Sequence, residues 1–191
     1  MNFYRSIFFA LTLSATLLGG CSKQDDAKAT SPEVSIQAVT TGAKGFTVGA
    51  LMSANTVYVF FDPQCPHCGH LWQASLPLHK KIKFQWIPVA WINASSLTQG
   101  AALLGAADPL ALMTEHEASL LGGRGGISAP SSVPPDVEQT IKANTKLLNG
   151  FGAESVPFVI VKNVRTGQTI THNGAMTTAE LAELVGVDTT P

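Results

Sequence analysis

The sequence predicts an α/β domain in which a central mixed sheet is flanked by helices, with a helical insertion between a βαβ unit and a ββα unit. Three observations carry that prediction. The run Val57-Tyr58-Val59-Phe60-Phe61 is apolar without polar alternation, as a central strand covered on both faces reads. It stops at Asp62-Pro63, and a helical pattern follows at once, with Cys65 and Cys68 at the junction. The later segments then read strand, helical insertion, helix, strand, strand, helix, with no internal repeat.

Each element has its own signal. Gly45-Phe46-Thr47-Val48-Gly49 reads as a short edge strand ahead of the central strand Thr56 to Asp62. The helix opening near Cys65 has Pro66 in its first turn, carries Leu71, Trp72 and Leu76, and is kinked or ended by Pro77. Lys83 to Val89 alternates as a second strand, with Phe84, Trp86 and Ile87. In the insertion, Ser95-Ser96 is expected to cap a helix bearing Leu97, Ala101 and Leu104. Asp108-Pro109 restarts the chain as N-cap and first helical residue, before Leu110, Met113, Leu120 and Leu121. Gly122 to Gly126 is a break; no lysine-serine/threonine pair follows its glycines, which argues against a phosphate cradle. Pro135 or Asp136 opens a further helix with Val137, Ile141 and Leu148 on one face, stopped by Asn149-Gly150. Val156-Pro157 precedes a strand to Val161, the turn Arg165-Thr166-Gly167 makes a hairpin with Gln168 to His172, and Thr177-x-x-Glu180 caps a last helix.

The 191 residues suit one domain, expected at 45–188 with its insertion at about 93–150. A net charge of −1 and scattered lysines, of which only Lys80-Lys81-x-Lys83 cluster, argue against a nucleic-acid partner. Residues 1–20 read as a signal peptide: Arg5 is the basic start, and Ile7 to Leu18 is an apolar stretch shorter than a membrane-spanning helix. Leu18-Gly19-Gly20-Cys21 resembles a bacterial lipobox, making Cys21 the expected lipidation site, and Ser22 after it points to the outer membrane. Residues 21–44 are polar and are expected to form a flexible tether. With Cys21 lipidated, two of the three cysteines remain, and a pair as close as Cys65 and Cys68 staples almost nothing. That pair is there for redox or metal chemistry.

Cys65 at a helix N-terminus faces free N–H groups and the positive end of the helix dipole, which favour a thiolate; Cys-x-x-Cys sites reach pKa values of roughly 3.5–7.5. Cys68, three residues on, is placed to resolve a mixed disulfide and is expected to be the more buried, less acidic thiol. Pro66-His67 lies between them, and a protonated His67 adds favourable charge. Asp62 is placed either to relay protons to Cys68 or only to form the turn. Trp72 and Trp86 read as core, and Trp91 as the tryptophan best placed for a substrate groove. Cys65, Cys68 and His70 are donors for copper(I) or zinc, but a second ligand pair for a closed zinc site is missing, and Gly69 stands where covalent haem needs histidine. No metal or other cofactor is therefore expected beyond the Cys65–Cys68 disulfide. His79, His116 and His172 are scattered and read as surface residues.

From about residue 45 to 186 the chain resembles the periplasmic thiol:disulfide interchange family of the thioredoxin fold. It is most like the catalytic domain of the DsbG and DsbC branch, in Phe61-Asp62-Pro63-Gln64-Cys65-Pro66-His67-Cys68, Leu71-Trp72, Lys146-Leu147 and Val156-Pro157. The resemblance implies a periplasmic thiol–disulfide oxidoreductase acting on exported proteins, with a membrane redox partner of the DsbB or DsbD type. It implies a cis Pro157 opposite the cysteines, with Val156 presenting its backbone to an extended substrate. Two departures stand out. Residues 22–44 are too short and polar for the branch's dimerisation domain, which implies a monomer, and Val156 replaces the usual threonine, as in the DsbA branch. Pro66-His67 is also DsbA-like, so oxidation is the expected direction. A reductase or isomerase, and a metal-binding lipoprotein using the same cysteines, are the alternatives.

Overall fold

The computed structural model describes residues 34–189. The expected signal peptide, the lipidation site Cys21 and the first part of the expected tether lie outside the described residues.

The tether assignment needs correction at its C-terminal end, where Ile36–Gly42 is a helix, α1. The Ser35 hydroxyl caps it by accepting from the Ala38 N–H at 3.1 Å, and Val39 is fully buried. Ile36, Val39 and Ala43 put one apolar stripe on a mostly polar segment, and that stripe packs into the core. Just beyond α1, the Asn144 side chain clamps the Lys44 backbone from both sides, accepting from its N–H at 3.0 Å and donating to its carbonyl at 2.8 Å.

The remaining elements follow the predicted order. They are β1 (Phe46–Gly49), β2 (Thr56–Phe61), α2 (Pro66–Ser75), β3 (Lys83–Pro88), α3 (Ala94–Leu104), α4 (Pro109–Leu121), α5 (Pro135–Gly150), β4 (Phe158–Lys162), β5 (Thr169–Asn173) and α6 (Thr178–Val185). The five strands form one sheet in the order β1-β3-β2-β4-β5. Only β2 and β3 run parallel, with Val59 opposite Trp86; the other pairings are antiparallel. The sheet is therefore mixed, with β2 at its centre.

That position explains the composition of β2. Val57 through Phe61 are all buried, because helices cover both sheet faces, so alternation has no advantage there. Aromatic edges lock this layer together: Phe61 meets Trp86 at 5.6 Å between ring centroids and Trp86 meets Trp72 of α2 at 5.1 Å, both T-shaped. Helix α2 ends at Ser75 and a single 3-10 turn, Leu76–Leu78, holds Pro77. The cap of α3 is Asn93 rather than Ser95: its side chain accepts from the Ser95 N–H while the Ser96 hydroxyl accepts from the Asn93 N–H, a reciprocal capping box. Asp108 caps α4 and Thr177–Glu180 caps α6, as the sequence predicts. At the end of α6, Gly186 takes φ 86°, where an added Cβ would also sit 2.7 Å from Asn163 Oδ1.

Candidate active site

The site grows out of the C-terminal end of β2. Asp62 is the first residue past the strand and is completely buried. Its Oδ1 accepts from the Gln64 N–H at 2.8 Å and the Ser96 hydroxyl at 2.7 Å; its Oδ2 accepts from the N–H groups of Trp91 at 2.6 Å and Ile92 at 3.0 Å. One carboxylate thus ties the turn after β2 to the loop after β3 and the first turn of α3. Next along the chain, the Pro63 carbonyl receives the Nε2–H of His116 at 2.7 Å, while His116 Nδ1 accepts from the Ile127 N–H at 3.2 Å. These partners require the neutral imidazole with its proton on Nε2, and burial holds the ring's pKa below the usual imidazole value. The Gln64 side chain then bonds Asn93, Gln99 and the Gly125 carbonyl, so the glycine-rich break is fastened to the same turn.

Cys65 emerges from this scaffold as the N-cap of α2, with Pro66 at the first helical position. Its pKa falls from 9.0 to about 6, chiefly because the Cys68 thiol donates to its sulfur; the backbone N–H groups of Cys68 and His67 add to this, burial opposes it, and the His67 charge contributes least. Cys68 is fully buried, against 5% exposure for Cys65. Burial, reinforced by the neighbouring Cys65, pushes the Cys68 pKa well above 9.0. The two thiols are therefore unequal: one is an available thiolate, the other a guarded thiol. In the structure the two cysteines are not joined by a disulfide.

Facing them is the start of β4. The Val156–Pro157 peptide is cis, and Cys65 Sγ lies 3.3 Å from the Val156 carbonyl oxygen. That contact is a hydrogen bond only while Cys65 is a thiol; a thiolate has no proton to donate and gives it up.

No family model matches the chain. Two curated proteins are similar to it. One is the thiol:disulfide interchange protein DsbG of Pseudomonas aeruginosa, 29% identical over 140 residues, covering 72% of this chain and 54% of that protein. The other is DsbG of Escherichia coli, 32% identical over 105 residues, covering 54% of this chain and 42% of that protein. The chain spans about half the length of these relatives. Among solved structures, a periplasmic thioredoxin-like protein from Salmonella enterica serovar Typhimurium superposes with a TM-score of 0.64 at 18% identity, covering 80% of this chain and 96% of that one. The catalytic domain of Proteus mirabilis ScsC does so with a TM-score of 0.61, again at 18% identity, over 78% of this chain and 95% of that one. The chain has a thioredoxin-like fold and is similar in sequence to DsbG.

Within this domain, the residues singled out from sequence are dispersed unevenly around the thiol pair. Cys65, Cys68, Val156 and Pro157 are brought together, and Pro66 and His67 are exposed beside them. Trp91 is half-buried, with its indole N–H donating to Asn149 Oδ1 at 3.0 Å, so only its ring face is left for a ligand. The four donors on Asp62 include neither cysteine. His116 corrects the expectation of a surface histidine, because the insertion folds it onto Pro63, fully buried. His79 is half-buried among Trp72, Phe84 and Ser75 rather than on the surface. Among the described residues, no group of three His, Cys, Asp or Glu side chains is placed to hold a metal ion. Sequence reading missed Glu117 altogether. It is 99% buried, neither carboxyl oxygen has a hydrogen-bond partner among the described residues, and burial, with a smaller effect of Cys65, pushes its pKa up to about 9. The available signal was its spacing, four residues after Met113 on the inward face of α4.

Proposed function

We infer that this domain is a thiol–disulfide oxidoreductase that oxidises exported proteins. The observation that supports it best is the inequality of the thiols: at a pKa of about 6, Cys65 is a thiolate by roughly ten to one at pH 7, beside a Cys68 whose pKa is raised. Stabilising the reduced thiolate makes the disulfide a stronger oxidant.

The reaction runs in two exchanges. A substrate thiolate attacks Cys65 Sγ of the oxidised pair; the Cys65–Cys68 bond breaks, and its electron pair goes to Cys68 Sγ. A second substrate thiolate then attacks the substrate sulfur of the mixed disulfide and releases Cys65 as thiolate. The substrate loses two electrons and the protein gains them. Cys65 is the attacked sulfur and the good leaving group, Cys68 is its resolving partner, and Val156 lies where its carbonyl meets an extended substrate backbone. Pro157 and Pro66-His67 frame that contact.

The periplasm is the compartment that fits this chemistry and the periplasmic Salmonella neighbour. There the chain works as a monomer, anchored by lipid on Cys21 to the outer membrane, and a DsbB-type membrane partner re-oxidises it. A DsbG-like body also suits a reductase or isomerase, served by a DsbD-type partner, and the same experiment separates the two. Alkylating thiols directly in cells should find Cys65 and Cys68 mostly oxidised. A mostly reduced pair overturns the oxidising direction, and a purified protein that exchanges no disulfide with a model peptide overturns the enzyme reading in favour of a metal-binding lipoprotein.

A further inference from the structure

A buried acid with no partner is costly, and in a folded domain it calls for a reason. Glu117 is such an acid. Helix α4 packs against α2, α3 and β1. Neither α3 nor β1 carries a charged or titratable side chain, so what faces Glu117 from neighbouring elements comes from α2 and its cap: Cys65, Cys68, and the exposed His67 and His70. On α4 itself, His116 is committed to Pro63 and Ile127, and Glu115 is exposed.

Position narrows the choice further. A Cβ placed on Gly69, the residue after Cys68, would lie 2.6 Å from Glu117 Oε2, so the carboxyl rests directly on the α2 backbone behind the cysteine pair. Glu117 and each of the two sulfurs also lie within electrostatic reach. Among the described residues, the one buried acid without a hydrogen-bond partner therefore lies behind the cysteine pair, against the residue that follows Cys68. Asp62 has no capacity for that task, since four donors already occupy its oxygens.

We propose that Glu117 is the proton donor and acceptor for Cys68 during disulfide exchange, a role that rests on the oxidoreductase reading above. When a substrate thiolate attacks Cys65 Sγ and the Cys65–Cys68 bond breaks, Cys68 leaves as a thiolate in an apolar interior. The Glu117 carboxylic acid gives it a proton, leaving a carboxylate and a neutral thiol. In the reverse direction the carboxylate takes the Cys68 proton as Cys68 attacks Cys65 Sγ of a mixed disulfide, and the substrate departs as thiolate. The carboxyl regains or loses its proton to water between turnovers. Burial, which keeps the carboxyl protonated at neutral pH, also holds the Cys68 thiolate unstable, so the transfer runs downhill in the oxidising direction. The Glu117 carboxyl makes no hydrogen bond to either sulfur in this structure, so in this proposal the proton passes over one bridging water.

The test compares wild-type protein with Glu117→Gln, which keeps the shape and removes the exchangeable proton. Oxidation of a dithiol peptide is followed across pH 5–10, with Cys65 thiolate absorbance titrated in parallel. General acid–base groups contribute about 10²-fold or more. The expected result is a rate in Glu117→Gln lowered about tenfold to a hundredfold at neutral pH, with the alkaline inflection gone and the Cys65 titration little changed. Equal rates and an unchanged profile overturn the proposal. An infrared difference spectrum of oxidised minus reduced wild-type protein checks it without a variant: the carbonyl band of a buried carboxylic acid should appear at neutral pH and vanish in Glu117→Gln, and a carboxylate band alone overturns the proposal. Wild-type protein with no exchange activity sinks the oxidoreductase reading instead, so the two failures are distinct.

Discussion

Asp62 offers the sharpest test of how the site is held, because its environment can be counted bond by bond. Asp62→Asn keeps the size of the side chain and replaces one acceptor oxygen by a donor. If the new amide group faces Trp91 and Ile92, two backbone N–H groups lose their acceptor. If it faces the other way, Ser96 can rotate to accept, but the Gln64 N–H is orphaned. Either way the remaining bonds lose charge assistance, which separates bonds worth about 1.5–3 kcal/mol from neutral ones worth about 0.5–1.5 kcal/mol, and each orphaned donor costs about 1–3 kcal/mol. Relief of burying a charge offsets part of this. A loss of about 3 kcal/mol is therefore expected, a large part of a typical 5–15 kcal/mol.

Urea unfolding measures it: the midpoint should fall while the slope stays constant. Ser96→Ala, which removes one bond of the four, should cost about 1 kcal/mol, leaving the rest of the set intact. The same proteins separate the two roles open to Asp62 from sequence. An anchor that positions Cys65 lowers the exchange rate by one factor at every pH, whereas a proton relay changes the shape of the pH profile. An Asp62→Asn protein that loses less than about 1 kcal/mol, or whose profile changes shape, refutes the anchor.

Three further outcomes are expected. The folded-state pKa of Glu117 is raised from 4.5 to about 9, so the native chain binds more protons than the unfolded chain across that window, and stability falls as pH rises through it; Glu117→Gln should flatten this decline, worth at most roughly 6 kcal/mol at about 1.4 kcal/mol per unit. His79 has the opposite sign: burial lowers its pKa from 6.5 to about 4, so it contributes stability above pH 6.5 that is lost as pH falls toward 4, and His79→Phe should flatten the acid limb of a melting-temperature profile. Gly69→Ala pushes a methyl against Glu117 and Leu121 and should cost about 1–3 kcal/mol, with Glu117→Ala in the same chain recovering at least about 0.5 kcal/mol in a double-mutant cycle.

The sheet and the thiol pair were legible because their signals are local. An unbroken apolar run gives away β2, the next few residues give away its turn, and the Cys-x-x-Cys spacing falls on that turn. Helix α1 was not legible: its stripe is Ile36, Val39 and Ala43 in a segment otherwise like a linker, and its stability comes from docking rather than from its own composition. Asp62 was visible as a residue but not as an anchor, since two of its donors, the N–H groups of Trp91 and Ile92, lie 29 and 30 positions away. His116 and Glu117 were harder still. Adjacent on a helix of ordinary amphipathic pattern, they are chemically silent until the insertion closes on α2.

Once it closes, those two adjacent residues act on the two ends of the cysteine turn. His116 holds the Pro63 carbonyl before Cys65, and Glu117 rests against Gly69 after Cys68. On a helix, neighbours in sequence point about 100° apart, so one element can reach both ends only if it crosses α2 close to the cysteines. Gly69 is what permits that approach, because any side chain there would meet the carboxyl or Leu121. Asp62 and Glu117 then divide the work between two buried acids: one is surrounded by four donors and fixes the turn, the other has none and is left free to exchange a proton. The insertion is in this view part of the redox chemistry. A domain with α4 displaced should keep its sheet and its Cys65–Cys68 pair, yet lose both the grip on Pro63 and the acid behind Cys68.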